Sequence, residues 1–351
     1  MNRIKHIRFY EVTKPLRITF STSMGKKDVI KSVIVKVTLE DGTYGIGECP
    51  TSFTLKDETI SAITGIIKEV SPWFLDIPID SYGDKIEQLR RKYPANPMTV
   101  SGLEVAMLRA SLNNRQISEH GYWGGKTTRI ETDITIPYST DYTVLAKWLK
   151  YTLAKNFTIF KLKVSGNPED DIRLISFVHR TLKDNRDEFA LRLDCNQGYS
   201  VKTFLKMVDL VEQNAYNIQL FEQPLPKSNY KGLKEIKRYS PIPIILDETI
   251  FTGADMDMAV TENLCDGVNI KIAKSGITES GKIYGIAKQH GLKLMMGCMT
   301  ETMAGLSAGI FFASGKSGFD YIDLDSIYFL YHKNHYNGIT IDGPAFITSY
   351  G

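Results

Sequence analysis

The chain has few cysteines and no paired-cysteine motif: Cys49, Cys195, Cys265 and Cys298 are scattered through 351 residues without C-x-x-C spacing. That pattern fits reduced thiols in a cytoplasmic protein. A surplus of either charge is also missing. Lys and Arg number 43 against 40 Asp and Glu, a net charge of +3, too balanced to point to a nucleic acid or a membrane as partner. Arg3, Lys5 and Arg8 open the chain, but no apolar stretch of a secretory signal follows them. The longest weakly polar run, Gly305 to Gly315, is too short to span a bilayer. Low-complexity tracts are absent. The length allows one to three domains and a large buried core.

What the chain does have is a series of short apolar runs that end in charge. Phe160-Lys161-Leu162-Lys163-Val164 is followed at once by Ser165-Gly166. In a strand, Lys161 and Lys163 point one way and Phe160, Leu162 and Val164 the other. Two ammoniums side by side repel, and one then gives up its proton more easily, as a general base must. An edge strand with solvated lysines would read the same way. Four more runs follow. Leu191-Arg192-Leu193 leads to Asp194 and then Asn196; Ile218 to Phe221 leads to Glu222-Gln223-Pro224. Ile242 to Leu246 leads to Asp247-Glu248, and Val268-Asn269-Ile270 leads to Lys271, with Lys274-Ser275-Gly276 beyond. The charged ends lie 24 to 31 residues apart, the length of a strand with its crossover helix. Polar groups at the C-terminal ends of successive parallel strands are where barrel enzymes keep their chemistry.

Ahead of the barrel, residues 3–12, 29–39 and 44–48 read as an antiparallel meander turned at Asp41-Gly42. The Ser/Gly/Lys segment Thr19 to Lys27 reads as a mobile loop. Helical spacing runs over 57–71, 80–92 and 99–115, the last with Thr99 as N-cap and Val105, Leu108 and Leu112 on one face. Residues 1–125 therefore form an α+β module, and the barrel starts at Thr132 to Ile136. Lys293 to Met296 and Phe319 to Leu324 supply its last strands. The tail, through Gly338 to Ile341, returns as a strand to the first module.

In this order, K-x-K, D-x-N, E-Q-P, D-E and N-I-K-x-x-K-S-G resemble the enolase superfamily, in its muconate-lactonising-enzyme branch. Asp323-Leu324-Asp325 resembles the D-x-D motif of that branch's dipeptide epimerases, whose best-known activity interconverts L-Ala-L-Glu and L-Ala-D-Glu in murein peptide metabolism and peptidoglycan recycling. The resemblance implies a (β/α)7β TIM-type barrel, residues 126–325, with an N-terminal α+β capping domain, residues 1–125, completed by the C-terminal tail, 326–351. It implies a cytoplasmic homo-oligomer acting on a small dipeptide, without nucleic acid or membrane partners.

The implied chemistry can be weighed residue by residue. Asp194, Glu222 and Asp247 are three hard oxygen donors on successive strands, suited to Mg²⁺. Removing the proton α to a carboxylate makes a dianionic enediolate, which divalent charge stabilises. Lys163 and Lys271 lie four strands apart and so face each other across an eight-stranded barrel. One takes the α-proton and the other returns one, which inverts the carbon. Lys161 and the metal would lower the pKa of Lys163, and Lys161 supplies positive charge near the substrate carboxylate. Asn196 and Glu248 support the metal and lysines from behind, and Lys274 is structural. Asp323 and Asp325 share a face and grip the dipeptide's free ammonium. Thr135, Cys298, Met299 and Lys26 complete the substrate pocket, with Glu301 near it. The place where Ala-Glu epimerases carry a basic residue is Gly25 here, so Lys26 or Lys27 would meet an acidic substrate arm. Competing readings are an N-acyl amino acid racemase, o-succinylbenzoate synthase or muconate cycloisomerase, a Schiff-base aldolase on Lys163 or Lys271, and a non-catalytic metal- and acid-binding scaffold.

Overall fold

A computed structural model gives the fold and describes residues 2–52, 55–332 and 335–349; Met1 and residues 350–351 of the expected domain ranges lie outside the described residues. Strands β1 (Ile4–Thr22), β2 (Gly25–Leu39) and β3 (Tyr44–Pro50) form the expected antiparallel meander. The stretch read as a mobile loop is different. Phe20 pairs with Lys27, Ser21 with Lys26 and Thr22 with Gly25, so this is the tip of a long hairpin turned at Ser23-Met24. Its Thr and Phe residues carry β preference, which the Ser/Gly/Lys content conceals.

Helices α1 (Ile60–Val70), α2 (Tyr82–Lys92) and α3 (Pro97–Asn114) complete this cap. Thr99 is not the N-cap of α3. The helix begins two residues earlier, with Pro97 in its first turn, and the Glu58 carboxylate accepts the N–H groups of Met98 and Thr99 at 2.7 and 3.0 Å. α3 is buried on both sides. Leu103, Ala106, Met107 and Ala110 pack into the cap, while Val105, Leu108 and Leu112 join the core of the barrel.

The short strand β4 (Arg129–Glu131) leads into eight parallel strands: β5 (Ile134–Ile136), β6 (Ile159–Lys163), β7 (Ala190–Asp194), β8 (Ile218–Glu222), β9 (Ile244–Leu246), β10 (Gly267–Ile270), β11 (Lys293–Gly297) and β12 (Tyr321–Asp323). A helix follows each of the first seven, and a single 3₁₀ turn, Ser326–Phe329, follows the eighth. The ring is nearly closed by the Asp133 N–H on the Ile322 carbonyl at 3.1 Å and by the Leu324 N–H on Thr132 Oγ1 at 2.7 Å. Alternation sorts the strand residues. Phe160, Leu162, Leu191, Leu193, Leu246, Val268 and Ile270 face outward into the core beneath the helices. Inside, Leu220, Ile245, Met295 and Tyr321 form a small apolar plug, and the polar residues above it make the mouth.

The tail strands β13 (Ile339–Asp342) and β14 (Ala345–Thr348) do not pair with the cap meander; β14 pairs with β4. What the tail gives the cap is a bridge from Leu330 to Leu16 and the Tyr336 ring, 5.0 Å from the Arg109 guanidinium carbon of α3. The strand pattern of 339–341 fixes its type but not its partner, because β4 is only three residues long and has no pattern of its own.

Candidate active site

The mouth of the barrel is built by strand alternation. Lys161 and Lys163 share the inner face of β6, and Asp194 and Glu222 close β7 and β8 on that face. Asp247 and Lys271 follow directly on β9 and β10, and Asp323 closes β12. Lys163, Lys271, Lys161, Asp247, Glu248, Asn196, Thr135, Cys298, Met299, Asp323 and Asp325 all line one cavity, which the hairpin tip covers with Phe20, Thr22 and Met24. Lys26 is not there. It is exposed, on the outer side of β2, while Lys27 lines the cavity and hydrogen-bonds Thr300 Oγ1. Period-two alternation makes those neighbours point opposite ways.

The charges form one network. The Lys161 ammonium, 1 % exposed, lies 2.9 Å from Asp194, 2.7 Å from Glu222 and 2.7 Å from Asp323. Lys163 Nζ lies 2.5 Å from Asp194 Oδ2 and 5.5 Å from the centre of the Phe20 ring. Across the mouth, Lys271 lies 2.6 Å from Asp247 and 4.0 Å from Glu222. Lys274 holds the other Asp247 oxygen at 2.6 Å, and the Asn269 amide donates to Glu222 at 2.9 Å. Glu222 therefore sits between the two sides.

Burial would lower both Lys161 and Lys271, but the surrounding carboxylates outweigh it and hold each ammonium above the usual range. Burial likewise works against an ionised Asp194, yet Lys161 and Lys163 pull its pKa down to about 2. Glu248 goes the other way. Burial, with Asp247 and Asp194 beside it, pushes its pKa up to about 8, although Asn196 donates to it at 3.3 Å. Burial and Asp194 also raise Glu222.

A divalent cation fits this site. Asp194, Glu222, Asp247, Glu248, Asp323 and Asp325 surround Lys161, Lys163, Lys271 and Lys274, and Lys27 enters the same cavity from the hairpin tip. The carboxylates are hard oxygen donors gathered in a buried place, the donor set that suits a small divalent ion. Among the described residues, the acidic trio whose ligand atoms lie within 4.8 Å of one another is Asp133, Asp323 and Asp325, rather than Asp194, Glu222 and Asp247. The lysine ammoniums are drawn in between the latter three.

The Asp323 and Asp325 pair has an unforeseen third member. Asp133 Oδ2 accepts from Arg192 at 2.7 Å, and its Oδ1, like Asp323 Oδ1, is buried without a hydrogen-bond partner. Asp325 Oδ2 takes the Thr135 N–H at 2.6 Å. Arg192 was open to detection, since it shares a strand face with Asp194; Asp133 lies before its strand and gave no signal. Glu301 is buried near the cavity, accepts the Met299 N–H at 2.8 Å, and is raised to about 8 by burial and by Glu48.

Residues 144–345 match the model of the enolase C-terminal domain-like family. The chain is 31 % identical over 348 residues to the L-Ala-D/L-Glu epimerase of Thermotoga maritima, covering 98 % of each protein. It superposes on a substrate-liganded complex of the L-Ala-D/L-Glu epimerase from Bacillus subtilis with a TM-score of 0.92 at 26 % identity, over 99 % of this chain and 96 % of that one. A dipeptide epimerase from Enterococcus faecalis, complexed with Mg and the dipeptide L-Leu-L-Tyr, gives 0.90 at 25 % identity over 99 % and 98 %. With the family model matched over more than half of the chain and the barrel and cap in common with these enzymes, the chain belongs to the enolase superfamily and is an isomerase of its epimerase branch.

Proposed function

We propose that this chain is a Mg²⁺-dependent dipeptide epimerase that inverts the α-carbon of the C-terminal residue by a two-lysine proton transfer, with L-Ala-L/D-Glu or a close relative as substrate. One observation carries the reading. Lys163 and Lys271 stand four strands apart in an eight-stranded ring and line the same cavity, with Asp194, Glu222 and Asp247 on the strand ends between them.

Asp194, Glu222 and Asp247 would hold the ion, which when bound supplies positive charge to the substrate carboxylate. The protein's own groups do the rest. Lys163 removes the α-proton from one face and Lys271 delivers a proton to the other; in the reverse direction their roles exchange. Lys161, held by three carboxylates, keeps fixed positive charge beside the substrate carboxylate. Asp323, Asp325 and Asp133 form the negative corner that receives the free ammonium, with Arg192 and Lys161 already balancing two of the three. The hairpin tip keeps water from the enediolate through Phe20 and Met24.

Lys27 supports an acidic second residue. It is the cationic side chain that the hairpin tip turns into the cavity, and burial lowers its pKa to about 8, with Glu301 opposing. The test is a panel of L,L-dipeptides incubated with the enzyme and Mg²⁺ in D2O and followed by mass and NMR. Ala-Glu should take up one deuterium and epimerise, and its N-acetyl derivative should not react. Lys27→Met should lower kcat/KM for Ala-Glu by about tenfold to a hundredfold while sparing uncharged dipeptides. Equal turnover of N-acetylated dipeptides would remove the amine-binding role, and no uptake across the panel would remove the epimerase reading.

A further inference from the structure

The two lysines are held by different parts of the molecule. Lys163 lies within β6, which is bonded on both sides, to β5 and β7, so the barrel itself fixes it. Lys271 has no such frame. It stands after the last residue of β10, and the turn that follows, Ile272 to Ser275, is cut off from its helix at Gly276, where φ is +73° and ψ is −178°. A single isolated turn leaves backbone groups without helical partners. The cap supplies them. The Ser101 hydroxyl of α3 donates to the Ile272 carbonyl at 2.6 Å, and Arg90 of α2 donates to the Ser275 carbonyl at 3.0 Å. Where the helix resumes, the buried Glu104 carboxylate accepts the N–H groups of Ile277 and Thr278 at 2.9 and 3.0 Å. Gly276 lets it come that close, since a Cβ there would meet Glu104 Oε2 at 2.1 Å.

We infer that Ser101, Arg90 and Glu104 are positioning residues for Lys271, so that the α2–α3 face of the cap sets the placement of Lys271 and not of Lys163. This rests on the two-lysine reading above. The consequence is stereochemical. Loosening the cap contact impairs proton abstraction from the epimer whose α-hydrogen faces Lys271, and leaves abstraction by Lys163 intact. An effect on fold alone would slow both.

The test measures exchange of the α-hydrogen with D2O by NMR, starting separately from L-Ala-L-Glu and L-Ala-D-Glu with Mg²⁺ present. Lys271→Ala and Lys163→Ala identify which epimer depends on which lysine. Ser101→Ala and Arg90→Met should then slow exchange of the Lys271-dependent epimer by about tenfold and change the other by less than about twofold. Glu104→Gln, which keeps one acceptor, should fall between these variants and wild type. If one of the first two fails to fold, the other still decides. Equal slowing of both epimers, slowing of the Lys163-dependent epimer, or no change in either would overturn the assignment. A wild-type enzyme that exchanges neither epimer would instead overturn the two-lysine reading, and this inference with it.

Discussion

Glu301 shows how a single side chain ties the cap to the mouth. Its carboxyl lies beside Glu48, which reaches from β3 to accept the N–H groups of Thr302 and Gly305 at 3.0 and 2.9 Å. Burial first, and the Glu48 charge second, raise Glu301 from 4.5 to about 8. A carboxyl whose folded pKa lies above its unfolded one favours the protonated form on folding. Its cost is therefore nil well below pH 4.5, grows through the interval to pH 8, and is constant above. Glu301→Gln should match wild type in urea midpoint at pH 4 and exceed it at pH 8.5, by up to a few kcal/mol. A constant offset between the two across that range would contradict this. At the same scale, Lys161 and Lys163 were legible from alternation alone, but the partners that decide their charge were not. Nothing in the order of residues says that Lys161 meets Asp194, Glu222 and Asp323 at once.

Among the elements, α3 carries the most. It is buried against the cap on one side and the barrel on the other, and β3 rests on it almost backbone to backbone. A Cβ at Gly47 would lie 1.9 Å from the Gly102 carbonyl oxygen. Gly47→Ala must push the sheet off the helix, so it should cost about 3 kcal/mol or more in chemical denaturation; a loss below about 1 kcal/mol would mean the sheet yields freely. Apolar runs closed by charge located every barrel strand from β6 to β10, because parallel strands buried on both faces leave a strong signal. The hairpin tip and the start of α3 were misread for a common reason. Each is decided by a partner that composition does not show: Phe20 and Thr22 by pairing across the turn with Lys27 and Gly25, and Thr99 by the Glu58 carboxylate, 41 residues away.

For the molecule as a whole, the mouth gathers carboxylates from the ends of four strands, β7, β8, β9 and β12, around buried lysines. On the proposed reading, Asp194, Glu222 and Asp247 hold a divalent ion there. Mg²⁺ should therefore raise the thermal midpoint, with about 2.7 kcal/mol of added stability at a hundred times its dissociation constant, and EDTA should reverse this. Asp247→Asn should abolish the response; an unchanged midpoint in wild type would argue against a resident ion. The cap and barrel were legible as separate patterns. How they grip each other, through Glu48, Glu104 and Ser101, was not, since those residues lie on the cap and their partners on barrel loops more than a hundred residues away.

The central claim is that two opposed lysines each serve one face of the same carbon, and α-hydrogen exchange in D2O with Lys163→Ala and Lys271→Ala tests it most directly. Each variant should abolish epimerisation, retain Mg²⁺ binding, and still exchange the α-hydrogen of one dipeptide epimer, a different one for each variant. If either variant epimerises at the wild-type rate, or if both retain exchange of the same epimer, the two-lysine account is contradicted.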